Sequence, residues 1–119
     1  MLFFLWEPLF SPKATLEIRC SHDLSAGVLT ILVDENEAME AELIGSVQRR
    51  MGVFRRTEGI FTGHLRVPIG EHTIRVRIRS EDERILSSRE VRGNFAKGES
   101  RSLTITFEGR SGGMRISLN

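Results

Sequence analysis

The sequence predicts an all-β protein whose strands form an antiparallel β-sandwich of about seven to nine strands. Three observations support this fold class. Short segments alternate apolar and polar residues, turn residues separate these segments at intervals of about ten residues, and no window carries an apolar stripe with helical spacing. Short strands at such intervals are typical of sandwiches, because each strand crosses one sheet and then reverses.

Three strands are predicted in the first part of the chain. Residues 14–20 alternate apolar and polar side chains, as in a strand with one buried face. Residues 28–33 are rich in β-branched side chains and fit a strand that is buried on both faces. The polar residues 34–36 predict a turn, after which residues 38–44 return as the next strand.

The segment 46–58 fits no period cleanly, because its apolar residues follow neither the spacing of a strand nor that of a helix. We expect a hairpin that turns near Met51 and Gly52, with arginines on both sides of the turn.

A clear alternation returns in residues 61–67 and ends at Pro68 and Gly70. Proline fixes φ and lacks a donor, whereas glycine permits the chain to reverse. In residues 72–79, isoleucine and valine alternate with arginine, which predicts a strand with one face on the core and one face in water.

The last third of the chain predicts three more strands. An acidic turn at residues 80–83 leads into a strand at residues 85–95. A further alternating strand covers residues 103–107, and a glycine-rich joint at 109–113 precedes a short final strand at 114–118.

Length and composition indicate a single domain over residues 13–119. The chain has 119 residues, of which 39% are hydrophobic and 28% charged, a globular balance. Lysine and arginine number 17 against 16 acidic residues, so the net charge of +1 favours no nucleic-acid partner. Cys20 is the single cysteine, which excludes an intramolecular disulfide, and we predict that it is a small buried residue on a strand.

The N-terminal segment, residues 1–12, begins with an apolar run at residues 2–6 that ends at Glu7 and Pro8. The run is shorter than the ~20 residues that span a bilayer, and it lacks the features of a signal peptide. Two interpretations stay open: a strand or cap that packs on the domain, or the end of a membrane anchor, for which Trp6 suits the membrane interface.

Metal and catalytic sites are not predicted. His22, His64 and His72 are scattered over turns and strands without the spacing of a metal site, so we expect no metal and no cofactor, and we expect the His72 ring to hydrogen-bond locally. The acidic turn at residues 80–84 lacks the alternating ligands of a calcium loop. No nucleophile elbow and no phosphate-binding glycine loop occur, so we assign no catalytic residue and do not expect an enzyme.

The strongest candidate for a binding site is the arginine-rich hairpin. Four arginines and one glutamate give a local charge of +3 between residues 46 and 58. The candidate partner-binding residues are Arg49, Arg50, Phe54, Arg55 and Arg56. Guanidinium groups suit an acidic partner, lipid headgroups or a phosphate backbone. The alternative is a solvated edge hairpin whose arginines discourage aggregation.

The stretch LRVPIGEHTIRVRI, residues 65–78, resembles the PEGA-type β-sandwich modules of bacterial envelope and surface proteins. In those modules a strand ends in a hydrophobic-Pro-x-Gly turn, and a strand that begins with His follows; Val67, Pro68, Gly70 and His72 match this pattern. Asp34 matches the acidic residue that follows an earlier strand. The resemblance implies an immunoglobulin-like or PEGA-like sandwich and a non-catalytic module placed outside the cytoplasmic membrane.

These observations favour a non-enzymatic interaction module of a bacterial envelope or surface protein. We expect it to be extracytoplasmic or membrane-anchored and to dock a protein or another envelope component through its surface. The alternative is a sandwich that binds a small ligand, either a carbohydrate or a peptide, for which an exposed aromatic platform is required.

Overall fold

The computed structural model describes residues 13–50, 54–109 and 113–119, and the side chains of all these residues except 47–50 and 54–57. Nine strands and no helix occur in these ranges. The strands are β1 (Lys13–His22), β2 (Ala26–Val33), β3 (Asn36–Ile44), β4 (Ser46–Arg50), β5 (Phe54–Pro68), β6 (Gly70–Ser80), β7 (Leu86–Phe95), β8 (Ser100–Glu108) and β9 (Gly113–Leu118).

The strands form two packed sheets, which confirms the predicted β-sandwich. Sheet A has the order β4-β5-β1-β8-β9, and sheet B has the order β3-β2-β6-β7. All strand pairs in the described part of the chain are antiparallel except β1 with β8, which run parallel. β8 follows β7 of sheet B, so the chain reaches β8 by a crossover and not by a hairpin from β1, which allows the parallel pairing.

The core lies between the sheets and is built from the predicted alternation. In β6, Ile74, Val76 and Ile78 are fully buried while Arg77 and Arg79 are exposed. The predicted two-sided burial of β2 is confirmed, since four successive residues from Leu29 to Leu32 are buried. The other large, fully buried side chains are Leu16, Ile18, Leu43, Val67, Phe95, Leu103, Ile105 and Phe107.

The β5 strand differs from the prediction in its length. Residues 61–67 were expected as a strand separate from the hairpin, but β5 runs without a break from Phe54 to Pro68. The alternation begins only near Phe61, and just before it the side chains of Glu58 and Ile60 are exposed. A single residue, Ile69, joins β5 to β6, and this step carries the chain from sheet A to sheet B.

The β2–β3 connection is a two-residue hairpin turn. Val33 pairs with Asn36, and Asp34 and Glu35 between them have φ values of 51° and 70°. Positive φ at both central residues defines a type I′ turn, which usually takes asparagine and glycine. The turn predicted at residues 34–36 is therefore present, without the glycine that would relieve its strain.

The strands define two ends along the long dimension of the molecule, which measures 55 × 28 × 20 Å. At the first, which we call the cross-linked end, Lys13 pairs with Pro68 and the β2–β3 turn follows Val33. At the other, the hairpin end, His22 pairs with Gly59 and β4 begins after Ile44. The chain enters β1 at the cross-linked end, so residues 1–12 connect there.

Residues 1–12, including Trp6, lie outside the described residues. Both interpretations of the apolar run therefore stay predictions. Within the described ranges, no helix has the length and apolar character needed to cross a membrane.

Candidate functional site

The hairpin formed by β4 and β5 extends past the body of the sandwich. Residues Gly59–Pro68 of β5 pair with β1, whereas residues 54–58 pair only with β4 among the described strands. Five residues of an antiparallel strand span about 17 Å at ~3.4 Å per residue. The predicted hairpin is therefore confirmed at the level of the backbone, and it projects beyond the last residue of β1.

The strand register places the predicted binding residues on the two arms of this hairpin. Arg49 is directly opposite Arg55, and Arg50 is opposite Phe54. Arg56 is opposite Gln48. The side chains of all these residues lie outside the described part of the chain, as do residues 51–53, where the turn is predicted. Like charges in directly opposed positions destabilise an antiparallel pair, so an acidic surface docked on the hairpin would relieve this repulsion.

Exposed apolar side chains surround the base of the hairpin. Ile44 lies two residues before β4 and is 70% exposed. Ile60 lies just after the point where β5 stops pairing with β4 and begins to pair with β1, and it is 60% exposed. Leu86, at the first position of β7, is 67% exposed at the same end. The sequence indicates that Ile44 and Ile60 are exposed, because both are out of phase with the buried residues of their strands. Apolar groups beside charged ones are typical of interface surfaces.

Gly59 marks the junction between the body and the hairpin. The His22 ring packs directly over it, and a Cβ at this position would lie 2.5 Å from the carbonyl oxygen of Ile44 and 2.6 Å from the ring. His22 is buried, and its Nδ1 accepts a hydrogen bond from the backbone N–H of Leu24 at 3.1 Å. Its Nε2 is buried without a hydrogen-bond partner among the described residues. Burial lowers the pKa of His22 from 6.5, which favours the neutral ring.

The cross-linked end contains a hydrogen-bonded cluster that sequence analysis did not assemble. The Nδ1 of His72 contacts the Oδ2 of Asp34, and its Nε2 contacts the carbonyl oxygen of Pro68 at 2.8 Å. Carboxylate and carbonyl oxygens are acceptors only, so a doubly protonated ring donates to both and a neutral ring to one. The N–H of Thr73 donates to the Oδ1 of Asp34 at 2.9 Å. The prediction that His72 bonds locally is confirmed by the contact with Pro68, whereas the contact with Asp34 joins distant parts of the sequence.

This cluster ties the strained β2–β3 turn to the β5–β6 connection. Hydrogen bonds from Thr73 and His72 lower the pKa of Asp34 below its usual value of 3.8. The carboxylate therefore stays ionised under most conditions. Because its bonds hold the residue at a φ of 51°, the cluster stabilises a backbone conformation that a side chain rarely adopts.

Ion pairs extend the cluster across sheet B. The Nη2 of Arg75 lies 3.1 Å from Glu35 and 3.0 Å from Glu90, and Arg92 lies 3.2 Å from Glu71. These contacts join the β2–β3 turn, β6 and β7. Contacts between different strands thus hold the cross-linked end together, and its charged groups stabilise the fold.

The exposed arginines of the sandwich lie in both sheets. Arg75, Arg77 and Arg79 share the outer face of β6, and Arg75 pairs with Glu90. Arg66 belongs to sheet A. Arg89 is opposite Val76 in the register of β6 with β7, and it lines the gap between the edge strands β7 and β9. The sequence pattern gives the face of a strand but not the sheet that contains it.

The remaining sequence candidates are not brought together. His64 lies opposite Glu17 on the outer face of sheet A, whereas His72 lies in sheet B. No group of three or more His, Cys, Asp or Glu side chains among the described residues is arranged to hold a metal ion. In the acidic turn, Ser80 donates to Asp82 at 2.6 Å, a bond within the turn itself.

Cys20 is fully buried, as predicted, and burial raises the pKa of its thiol to about 12. A thiol in this environment stays protonated and is a poor nucleophile.

An aromatic platform was the requirement for the small-ligand alternative. The described phenylalanine side chains are those of Phe61, Phe95 and Phe107, and all three pack against or within the core. Among these side chains none is exposed, so the alternative stays a prediction without support from the described residues.

No family model matches the chain, and no curated protein matches its sequence. The resemblance to PEGA-type modules therefore stays a prediction, and the function rests on the geometry of the molecule alone.

Proposed function

We propose that the chain is a non-enzymatic interaction module of a bacterial envelope or surface protein that docks an acidic partner through the hairpin end. The observation that carries this proposal is the projection of residues 54–58 of β5 past β1 with only β4 as a partner strand. Because β1 does not pair with this part of β5, the arginines of the hairpin serve contacts outside the sandwich.

Two further observations support docking. The opposed positions of Arg49 and Arg55 place like charges together, and a partner with carboxylates compensates this repulsion. Ile44 and Ile60 at the base supply apolar surface that a partner would remove from water. The partner is a protein or another envelope component, since arginine forks recognise carboxylate or phosphate groups.

The position of the chain entry bears on localisation, which we propose to be extracytoplasmic or membrane-anchored. Lys13 lies at the cross-linked end, opposite the hairpin. If residues 1–12 belong to an anchor, the ten residues of β1 and the five hairpin residues 54–58 lie between the anchor point and the tip of the hairpin. At ~3.3 Å per residue this distance is about 50 Å. The hairpin then projects away from the membrane that holds the chain.

The test replaces the four arginines with serine in one variant, R49S/R50S/R55S/R56S. A matched control, R19S/R66S/R77S/R89S, removes the same charge from exposed positions of the sandwich. Each protein carries an affinity tag and is cross-linked in an extract of cells that also make the untagged wild-type chain, and captured proteins, including the untagged chain, are quantified by mass spectrometry. We expect the hairpin variant to lose partners that the wild type and the control retain.

The same variants are compared by thermal unfolding. Surface substitutions away from structural contacts change stability by about 0.5 kcal/mol or less, so both variants should keep the midpoint of the wild type. Identical sets of captured proteins for the two variants would contradict the proposal. A large loss of stability in the hairpin variant would show that the arginines are structural.

A further inference from the structure

We propose that the acidic partner of the hairpin is a second copy of this chain, bound so that the hairpin of each copy lies along strand β3 of the other. This inference rests on the proposed function, because it keeps the hairpin as the docking element and identifies what it binds.

Strand β3 is an acidic edge. It is the outermost strand of sheet B, and it carries Glu37, Glu40 and Glu42 within nine residues. All three side chains are exposed, and none forms an ion pair with another described residue. An edge strand with a row of carboxylates repels itself and attracts a basic segment of similar length. The charge of −3 on β3 matches the +3 of residues 46–58.

The acidic edge and the basic hairpin are continuous. Gly45 alone separates the end of β3 from the start of β4, and both strands are edges, one of sheet B and one of sheet A. The charge along this side of the molecule therefore changes sign at Gly45. Nine residues of β3 span about 30 Å, enough to cover the ~17 Å of a hairpin arm.

An edge that reverses its charge at its middle is complementary to itself. A two-fold axis perpendicular to the strands at Gly45 places the edges of two copies face to face and in opposite directions. The hairpin of each copy then faces Glu37, Glu40 and Glu42 of the other. Such an interface is isologous, so it closes after two copies and does not propagate into a filament.

Ile44 lies where this arrangement needs an apolar contact. It directly precedes Gly45 and is 70% exposed, so the axis brings it close to Ile44 of the second copy. Interfaces commonly have an apolar centre and a charged rim. The exposed Ile44 thus has the position of a central contact between two charged flanks.

The test uses sedimentation velocity on the purified full chain with two charge reversals. The hairpin variant is R49E/R55E/R56E and the edge variant is E37K/E40K/E42K; R19E/R66E/R89E is the control with a matched change of charge. We expect the wild type and the control to dimerise, with weaker association in high salt. Each reversal alone should lower the dimer association constant at least about tenfold, since opposed like charges replace every pair.

Mixing the two reversed variants decides the question. Equimolar hairpin and edge variants should form a heterodimer, because each reversed hairpin then meets a reversed edge, and this recovery also shows that both variants are folded. Self-association is overturned if the wild type is monomeric at its highest soluble concentration, or if the mixture stays monomeric. Neither of these two outcomes changes the result of the capture experiment on other proteins, which tests the proposed function separately.

Discussion

The two ends of the sandwich are built in different ways from similar residues. At the cross-linked end, Asp34, His72 and Arg75 bond to groups on other strands and turns. At the hairpin end, the bonds of Asp82 and Ser80 stay within one turn, His22 keeps an unpartnered nitrogen, and Ile44 is exposed. Charged side chains thus join the β2–β3 turn, β6 and β7 at the cross-linked end, whereas at the hairpin end Asp23 accepts a bond from the backbone N–H of Gly109 at 2.8 Å and apolar side chains are exposed.

The junction between the two regions should tolerate substitution least. Gly59→Ala places a methyl group against the carbonyl oxygen of Ile44 and the ring of His22. Because a backbone atom cannot move aside, we expect a loss of about 1 to 3 kcal/mol in the free energy of unfolding, measured by chemical denaturation.

Gly93→Ala is the control for this substitution. Its added Cβ would approach the end of the Leu118 side chain, which can change rotamer, so the loss should be smaller. An equal loss at both glycines would contradict the role given to the backbone contact at Gly59.

Asp34→Ala tests whether the cross-linked end carries stability. The change removes the bonds to Thr73 and His72 and places alanine at a positive φ. We expect a loss of about 2 kcal/mol, from an exposed hydrogen-bonded group and from the left-handed conformation.

Two other aspartate variants sharpen that result. Asp34→Asn keeps an acceptor for Thr73 and tolerates the turn, so it should lose less than Asp34→Ala. Asp82→Ala, at the hairpin end, removes bonds only within its own turn and should also lose less. A loss at Asp82 equal to that at Asp34 would remove the distinction between the ends.

The ends should also differ in their response to acid. The pKa of His22 is lowered in the folded state, so its contribution to stability is complete above pH 6.5 and is lost as the pH falls below that value. The pKa of Asp34 is also lowered, from 3.8, so its contribution persists to lower pH and is lost only as the pH falls through the folded-state value.

Denaturation curves at successive pH values separate these two phases. His22→Asn retains an acceptor for the N–H of Leu24 and does not titrate, so it should remove the loss below pH 6.5. Asp34→Asn should remove part of the loss below pH 3.8. If His22→Asn leaves the first phase unchanged, the buried histidine is not its source.

The alternation of apolar residues predicted most strands, because a residue such as Ile78 must face the core and its neighbours must face water. The same alternation says nothing of strand partners. It could not predict that β1 pairs with β8 in parallel, or that Ile69 carries the chain between sheets. The contact of Asp34 with His72 joins residues 38 apart in sequence, so no local pattern contains it.

The candidate site was predicted in part. The arginines at 49, 50, 55 and 56 were evident from the sequence. The hairpin was predicted although its apolar residues fit no regular period, and the pairing of β4 with β5 confirms it. Its projection from the sandwich was not evident, because the length of β5 relative to β1 depends on the pairing at Gly59. The acidic edge was hidden as well, since an edge strand and a central strand have the same alternation.

Native-state amide hydrogen exchange tests the central claim most directly, with the protein kept monomeric in high salt. We expect the amides of β4 and of residues 54–58 to exchange through local opening, at a free energy far below that of global unfolding. The amide of Thr73, bonded to Asp34, should exchange only with global unfolding. Equal protection of the hairpin and Thr73 would contradict the account, because the hairpin would then be part of the cooperative fold.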